Sequence, residues 1–279
     1  MYKTIILHAD ASRNTAARLH LAALIAEQQQ AHLVCSAMTG ISRYVYSGHE
    51  ALPQHVMRSD LAELATARAR QILVEHAKLA RAHGMASFEE RLVNDDPYGG
   101  LVLQSRYADL VVLGQADRDD PATGATQQDL PEYVILNGSS PVLVVPFAGH
   151  FPTIGKTVLV GWDGSLHAAR AIKQALPLLV QAARVVVTMV DPVIGADEHG
   201  EEPGADIALH LARHGSPVET QVIASDGDVG EALIAAAERM HADLIVMGAY
   251  GHSRLHQIML GGATRTILAT ATLPVLLSR

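Results

Sequence analysis

Three glycines and a helix start raise the question of chemistry. Gly248, Gly251 and Gly261 fall in "GAYGHSRLHQIMLGG", residues 248–262, directly after the apolar run "ADLIVM". Glycine lets a backbone approach a ligand closely and adopts shapes that other residues avoid. From Leu260 onward "LGGATRTILATA" has a helical pattern that opens at Gly261 and Gly262. A helix start carries unpaired N–H groups and a partial positive charge, so it attracts phosphate. Thr264 and Thr266 add hydroxyls. An apolar strand, a glycine-rich excursion and a helix start thus compose a phosphate cradle. Glycines also punctuate ordinary loops, and on spacing alone both readings stand.

The elements that position these residues occur twice. "KTIILHADAS" (3–12) matches "KTVLVGWDGS" (156–165), "AHLVCSAMTG" (31–40) matches "ARVVVTMVDP" (183–192), and "ADLVVLGQ" (108–115) matches "ADLIVMGA" (242–249). "SSPVLVVP" (139–146) matches "TLPVLLSR" (272–279). Each half reads β-α-β-α-β-α-β-α-β, with extra sequence in the first half from Ile41 to Asp60. Short apolar strands alternating with helical patterns predict parallel sheets covered on both faces. We therefore expect two tandem doubly wound α/β domains, each a five-stranded, mostly parallel, Rossmann-like sheet. The boundaries are 1–146, a linker at 147–155 and 156–279. In such sheets ligands bind beyond the carboxyl ends of the strands, near a switch in strand order.

The glycine loop resembles that of the universal stress protein family. Nucleotide-binding members of that family carry Gly, two residues, Gly, nine residues, Gly, then Ser or Thr. Gly248, Gly251 and Gly261 match, with His252 to Leu260 between the last two. Gly262 stands where the family has a hydroxyl, which removes one phosphate donor, although its backbone N–H remains. Because the likeness covers both halves, the chain is identified as a tandem member. The resemblance implies the rest of the pocket. Asp163, after the first strand, would contact adenine, and Met189 would meet the base through its backbone. The phosphates would rest on backbone N–H groups at Gly251, Gly261, Gly262 and Ala263, helped by Thr264, with Mg²⁺. Asp163 has a competing role as a helix N-cap, but Ser165 is better placed for it. A methionine in a strand is ordinarily core.

The first half departs from this pattern. Asp10 holds the place of Asp163, but "GQADRDDPATGATQQDLPEYVILNGSS" (114–140) replaces the loop. Gly114 remains where Gly248 stands, Asp117 falls where Gly251 stands, and Asp119, Asp120 and Asp129 follow. These carboxylates repel triphosphate, and Gly138 and Ser139 come too late to open the helix. We expect a solvated acidic loop there and one nucleotide site, in the second half. Other motifs fail. "GKT" (155–157) lacks the earlier P-loop glycine and begins a strand. "GHSRL" (251–255) has Leu where a nucleophile elbow needs Gly. His210 and His214, like His252 and His256, are four apart but lack a third metal ligand. The run 117–121 places Pro121 where a calcium loop needs a ligand. Cys35, inside an apolar strand, is expected in the core.

Composition narrows the class. Hydrophobic residues make up 49% and charged residues 18% of 279, which argues for a globular fold over disorder. The net charge of −8 and 4% aromatic content argue against nucleic acid as a partner. The single cysteine suits a reducing compartment. "MYKTIILHAD" does not read as a signal-peptide core, and no apolar run approaches the roughly 18 residues of a membrane span. The expectation is a cytoplasmic, ATP-binding regulator in stress response, with slow ATP hydrolysis at most and no catalytic residue assigned. ATP is not told apart from AMP or a cyclic nucleotide. The alternative is an interaction or scaffold protein of the same fold that binds no nucleotide. The fifth strands, 142–145 and 274–277, are apolar edges that invite pairing. In the family such strands meet across a dimer. An intramolecular pseudo-dimer is expected here, with homodimerisation and an unidentified protein partner left open.

Overall fold

The computed structural model describes residues 1–43, 55–85, 88–123, 127–192, 202–250 and 262–279. The first half runs β1 (Thr4–His8), α1 (Thr15–Gln29), β2 (His32–Met38), α2 (His55–Ala82), β3 (Glu89–Val93), α3 (Pro97–Ser105), β4 (Leu110–Gly114), α4 (Leu130–Asn137) and β5 (Val142–Val145). The second runs β6 (Thr157–Gly161), α5 (Leu166–Leu179), β7 (Arg184–Val190), α6 (Ala205–Arg213), β8 (Val218–Ile223), α7 (Val229–Arg239), β9 (Leu244–Gly248), α8 (Gly262–Thr270) and β10 (Val275–Ser278). The extra stretch of the first half goes partly into α2, which spans 28 residues where α6 spans 9. Residues 44–54 lie outside the described ones.

Contacts divide the chain into two compact units, Tyr2–Ser139 and Ser140–Arg279. In the first, β1 pairs in parallel with β2 and β4, and β2 with β3, giving the order β3-β2-β1-β4. In the second, β6 pairs in parallel with β7 and β9, β7 with β8, and β9 with β10. β5 belongs to this second unit and runs antiparallel to β10, with Val142 opposite Leu277 and Val144 opposite Val275. The two fifth strands thus pair with each other within one chain.

The central strands carry consecutive buried residues because helices cover both faces. Ile5, Ile6 and Leu7 in β1 are buried, as are Val158, Leu159 and Val160 in β6. Cys35 in β2 is buried as expected, and burial pushes its thiol up to about 12. In the first unit α1 packs on α2 and α3 on α4; in the second α7 packs on α8. β1 and β6 each have neighbours reached by leaving in opposite directions, so the carboxyl end of each is a switch point.

The repeated Ala-Asp-Leu has a structural explanation. Asp109 accepts the backbone N–H groups of Lys3 and Thr4 (2.7 and 2.9 Å), and Asp243 accepts those of Lys156 and Thr157 (both 3.1 Å). Each aspartate ties the start of the first strand of its half beside the fourth. That sets the register which brings the two carboxyl ends, and hence the site, together.

Candidate functional site

The carboxyl ends of β6, β7 and β9 and the first turns of α7 and α8 enclose a cleft of about 360 Å³ in the second unit. Its wall includes Gly161, Trp162 and Asp163 from the end of β6, Thr188 and Val190 from β7, and Met247 and Gly248 from β9. Gly227, Asp228 and Leu233 contribute from the start of α7, and Gly262, Ala263 and Thr264 from α8.

At the end of β6, Ser165 takes the capping role expected of it. Asp163 Oδ1 accepts the Ser165 N–H (3.0 Å), and Ser165 Oγ accepts the Ala168 N–H (3.1 Å), making Ser165 the N-cap of α5. Met189 is not among the lining residues. Strand alternation turns its side chain to the opposite face. There its Sδ lies only 2.6 Å from where a Cβ on Gly204 would stand. Any contact of Met189 with a ligand is left to its backbone, between Thr188 and Val190, whose side chains face the cleft.

Gly248 lines the cleft, but its glycine identity has a packing cause. A Cβ there would stand 2.5 Å from the Ala168 nitrogen and 2.6 Å from the His167 carbonyl carbon. The first turn of α5 crosses too close for any side chain. Gly262 is the opposite case. Among the described residues nothing lies within 4 Å of where its Cβ would be, and the same is true of Gly227. These two glycines leave the cleft wall open, which is the room a bound group needs. Gly251 and Gly261, central to the motif, lie outside the described residues.

The threonines are partly occupied. Thr264 Oγ1 accepts the N–H of Tyr250 (3.2 Å), and Tyr250 holds a left-handed φ of 59°. Thr266 does not serve the cleft as a donor; its hydroxyl donates to Asp228 Oδ2 (2.7 Å). Asp228 is the functional candidate that sequence reasoning missed. It caps α7 by accepting the Glu231 N–H (3.1 Å). The Thr266 hydrogen bond, ahead of a burial effect in the other sense, holds its pKa below the ordinary carboxylate value. The signal was present in "DVGE" (228–231), an acidic cap followed three residues later by Glu.

The residues fit a nucleotide at the described positions: a carboxylate at the strand end, an open wall at two glycines, and a helix start with no acidic residue in its first turn. Bound phosphate would supply the oxygens that hold Mg²⁺, and Asp228 is a carboxylate of this chain lining the same cleft.

The corresponding place in the first unit is built differently. Arg18, 2% exposed, donates from Nη2 to Asp10 Oδ1 (2.5 Å) and from Nη1 to Oδ2 (3.1 Å). Ser12 adds its N–H (3.0 Å) and hydroxyl (2.6 Å) to Oδ1. Burial alone would raise the pKa of Asp10, but Arg18 and His8 hold it far below the ordinary range. A Cβ on Gly114 would stand 2.7 Å from Arg18 Nη1, so the guanidinium takes the space beside that glycine. The acidic loop is only in part the solvated segment expected: Arg118, Asp119 and Pro121 are exposed, but Asp117 and Asp120 are not. Asp117 pairs with Arg13, and Asp120, 4% exposed, accepts the Arg13 N–H (2.9 Å). Desolvating carboxylates is tolerable here because each finds a charged or N–H donor.

A model of the universal stress protein family matches residues 155–279. A universal stress protein of Thermus aquaticus is 33% identical over 139 residues, covering 98% of that protein and 44% of this chain. The chain belongs to the universal stress protein family. A second relative, the universal stress protein Slr1230 of Synechocystis, is 25% identical over 176 residues, 61% of this chain and 58% of that protein. A universal stress protein structure from Archaeoglobus fulgidus covers 99% of this chain and 96% of its own, with a TM-score of 0.66 and 17% identity, and so shares its fold. Among the described residues, no helix is long and apolar enough to cross a membrane.

Proposed function

We propose that this universal stress protein is a cytoplasmic, ATP-binding regulator in stress response, with one nucleotide site per chain, in the second unit. The observation that carries this reading is a single cleft in which Asp163 and the start of α8 both take part. Adenine would lie beside Asp163 and the end of β7, its amine donating to the carboxylate and Met189 meeting it through the backbone. Phosphates would take the N–H groups of Gly262 and Ala263, which helix geometry leaves without partners inside the helix. Gly251 and Gly261 complete the cradle in this reading, and Mg²⁺ accompanies the phosphates. Thr264 steadies the loop at Tyr250. We assign no nucleophile or general base, so hydrolysis would be slow at most. The β5–β10 pairing supports reading the chain as a pseudo-dimer within itself.

Two features favour the scaffold alternative. The Asp228 carboxylate, held ionised by Thr266, faces a cleft meant for a polyanion, and Gly262 lacks the family's hydroxyl. Extraction of nucleotide from the purified protein, followed by calorimetric titration with MgATP, decides between them. One ATP per chain is expected. Two equivalent sites would refute the assignment to one half, and no binding of any adenine nucleotide would replace it with the scaffold reading.

A further inference from the structure

In the first unit, α2 and the turn that opens α1 enclose a cavity of about 410 Å³. Small-molecule clefts begin at roughly 300 Å³. The cavity lies between the two helices: among the described residues, none of its lining comes from β2, α3 or β4. Its buried side consists of hydrogen-bond acceptors. His76, 1% exposed, lines it from α2. The ring Nδ1 lies 2.8 Å from the Ile72 carbonyl oxygen, which can only accept, so Nδ1 carries the proton. Burial lowers the pKa of the ring, outweighing the Ile72 hydrogen bond, and favours the neutral form. Nε2 is then a lone pair, buried and without a partner among the described residues, a cost that a donor would relieve. The hydroxyls of Ser12 and Thr15, also in the lining, have already given their protons, to Asp10 Oδ1 (2.6 Å) and to the Ser12 carbonyl (2.8 Å). That side of the cavity lacks a donor.

The exposed side carries one charge of each sign. Arg68 and Glu75 both line the cavity, about two turns apart on one face of α2. Arg68 enters no ion pair among the described residues. Glu75 has only the exposed Lys78 (2.8 Å), a pair worth little in water. Asp10 adds no free charge, because Arg18 grips both its oxygens. Ile72 and Leu79 complete the wall with branched aliphatic side chains. A simple anion would meet Glu75 and a simple cation would meet Arg68. A molecule carrying both charges satisfies the two together.

We infer that this cavity binds a free α-amino acid with an aliphatic side chain. The ammonium would donate to His76 Nε2 beside Glu75, the carboxylate would face Arg68, and the side chain would lie on Ile72 and Leu79. The inference does not rest on a nucleotide in the second cleft, and its test contains none. Equilibrium dialysis of the full chain measures labelled leucine, isopentylamine, which lacks the carboxylate, and 4-methylpentanoate, which lacks the amine. Leucine is expected to bind saturably at one per chain, and each analogue about three- to tenfold more weakly, the value of one charged hydrogen bond. Arg68→Gln should weaken leucine by that factor and leave isopentylamine unchanged. Glu75→Gln should weaken leucine and isopentylamine and leave 4-methylpentanoate unchanged. Both substitutions alter exposed side chains, and circular dichroism should match the parent protein. Absence of saturable leucine binding overturns the inference. So does an analogue that binds as tightly as leucine, or leucine binding that neither substitution weakens.

Discussion

Asp10 and Asp163 begin as the same residue in the same turn. Each follows the first strand of its half, and each accepts the N–H of a serine two residues on, at 3.0 Å. They part at one position on the next helix. Arg18 sits eight residues after Asp10; the matching residue after Asp163 is Ala171, fully buried. In the first half a guanidinium grips both carboxylate oxygens. In the second, alanine offers no such donor. The acidic loop of the first half reinforces the difference by anchoring on Arg13, whereas the second half places an open helix start at the equivalent edge. The first-half aspartate is thus held on both oxygens by a cation that the second half does not carry at the matching position.

The comparison breaks first at Arg18. Arg18→Ala leaves Asp10 charged, buried and without its main partner, and should destabilise the first unit by about 3–5 kcal/mol. Urea unfolding followed by a probe in that unit measures it. A loss under about 1 kcal/mol would show that the pair contributes little to the stability of the first unit.

His8 sharpens the same contrast through pH. Burial lowers its pKa to about 4, with Asp10 opposing and Arg18 and His76 adding to the shift. Because the folded value lies below the unfolded 6.5, the unfolded chain binds more protons between the two. Stability is therefore lost as pH falls from 6.5 towards 4, by about 3 kcal/mol at the bottom of that window for so buried a group. Melting temperatures across this range should fall, and His8→Gln should flatten the slope. An unchanged slope would assign the loss elsewhere, for instance to His76, which burial also lowers.

At the second site, Asp163→Ala should weaken MgATP by at least ~1.4 kcal/mol, a factor of about ten, and leave inorganic triphosphate nearly unaffected. Equal loss for both ligands would place Asp163 away from the base. Gly262→Ser should act in the other direction. The site has room for its Cβ, and a restored hydroxyl should tighten ATP about threefold, within the value of one hydrogen bond. Calorimetry showing weaker binding would mean the serine intrudes on the ligand. The smallest effect expected is none: Asp10→Asn should leave MgATP affinity unchanged, since that aspartate belongs to the other half.

Much of the architecture was legible in the residues. The doubled Ala-Asp-Leu, the apolar runs and the helical patterns between them predicted each element in order. Local chemistry was legible too: Ser165, not Asp163, caps α5, as side-chain reach requires. Asp117 and Asp120 depart from the exposure that their charge implies, because Arg13, more than a hundred residues away, cannot be seen from within the loop. Asp228 was overlooked for a related reason. It lies far in sequence from the glycine motif, and only the packing of α7 on α8 brings it to Thr266. Gly248 lines the cleft, and the backbone of α5 independently forbids a side chain there.

By itself the sequence determined which segments become strands and helices, that the pattern occurs twice, and that the second copy carries the glycines. These follow from periodicity and from conformational preference, both local. The tertiary structure decided which of the two carboxylates an arginine grips on both oxygens. It also decided which glycine is packed shut and which stands open. Some of those outcomes join groups only eight residues apart, as Arg18 and Asp10 do, and others groups 107 apart, as Arg13 and Asp120 do. Burial then weighs each meeting: a carboxylate in low dielectric must find a partner, and the fold alone sets which one is within reach.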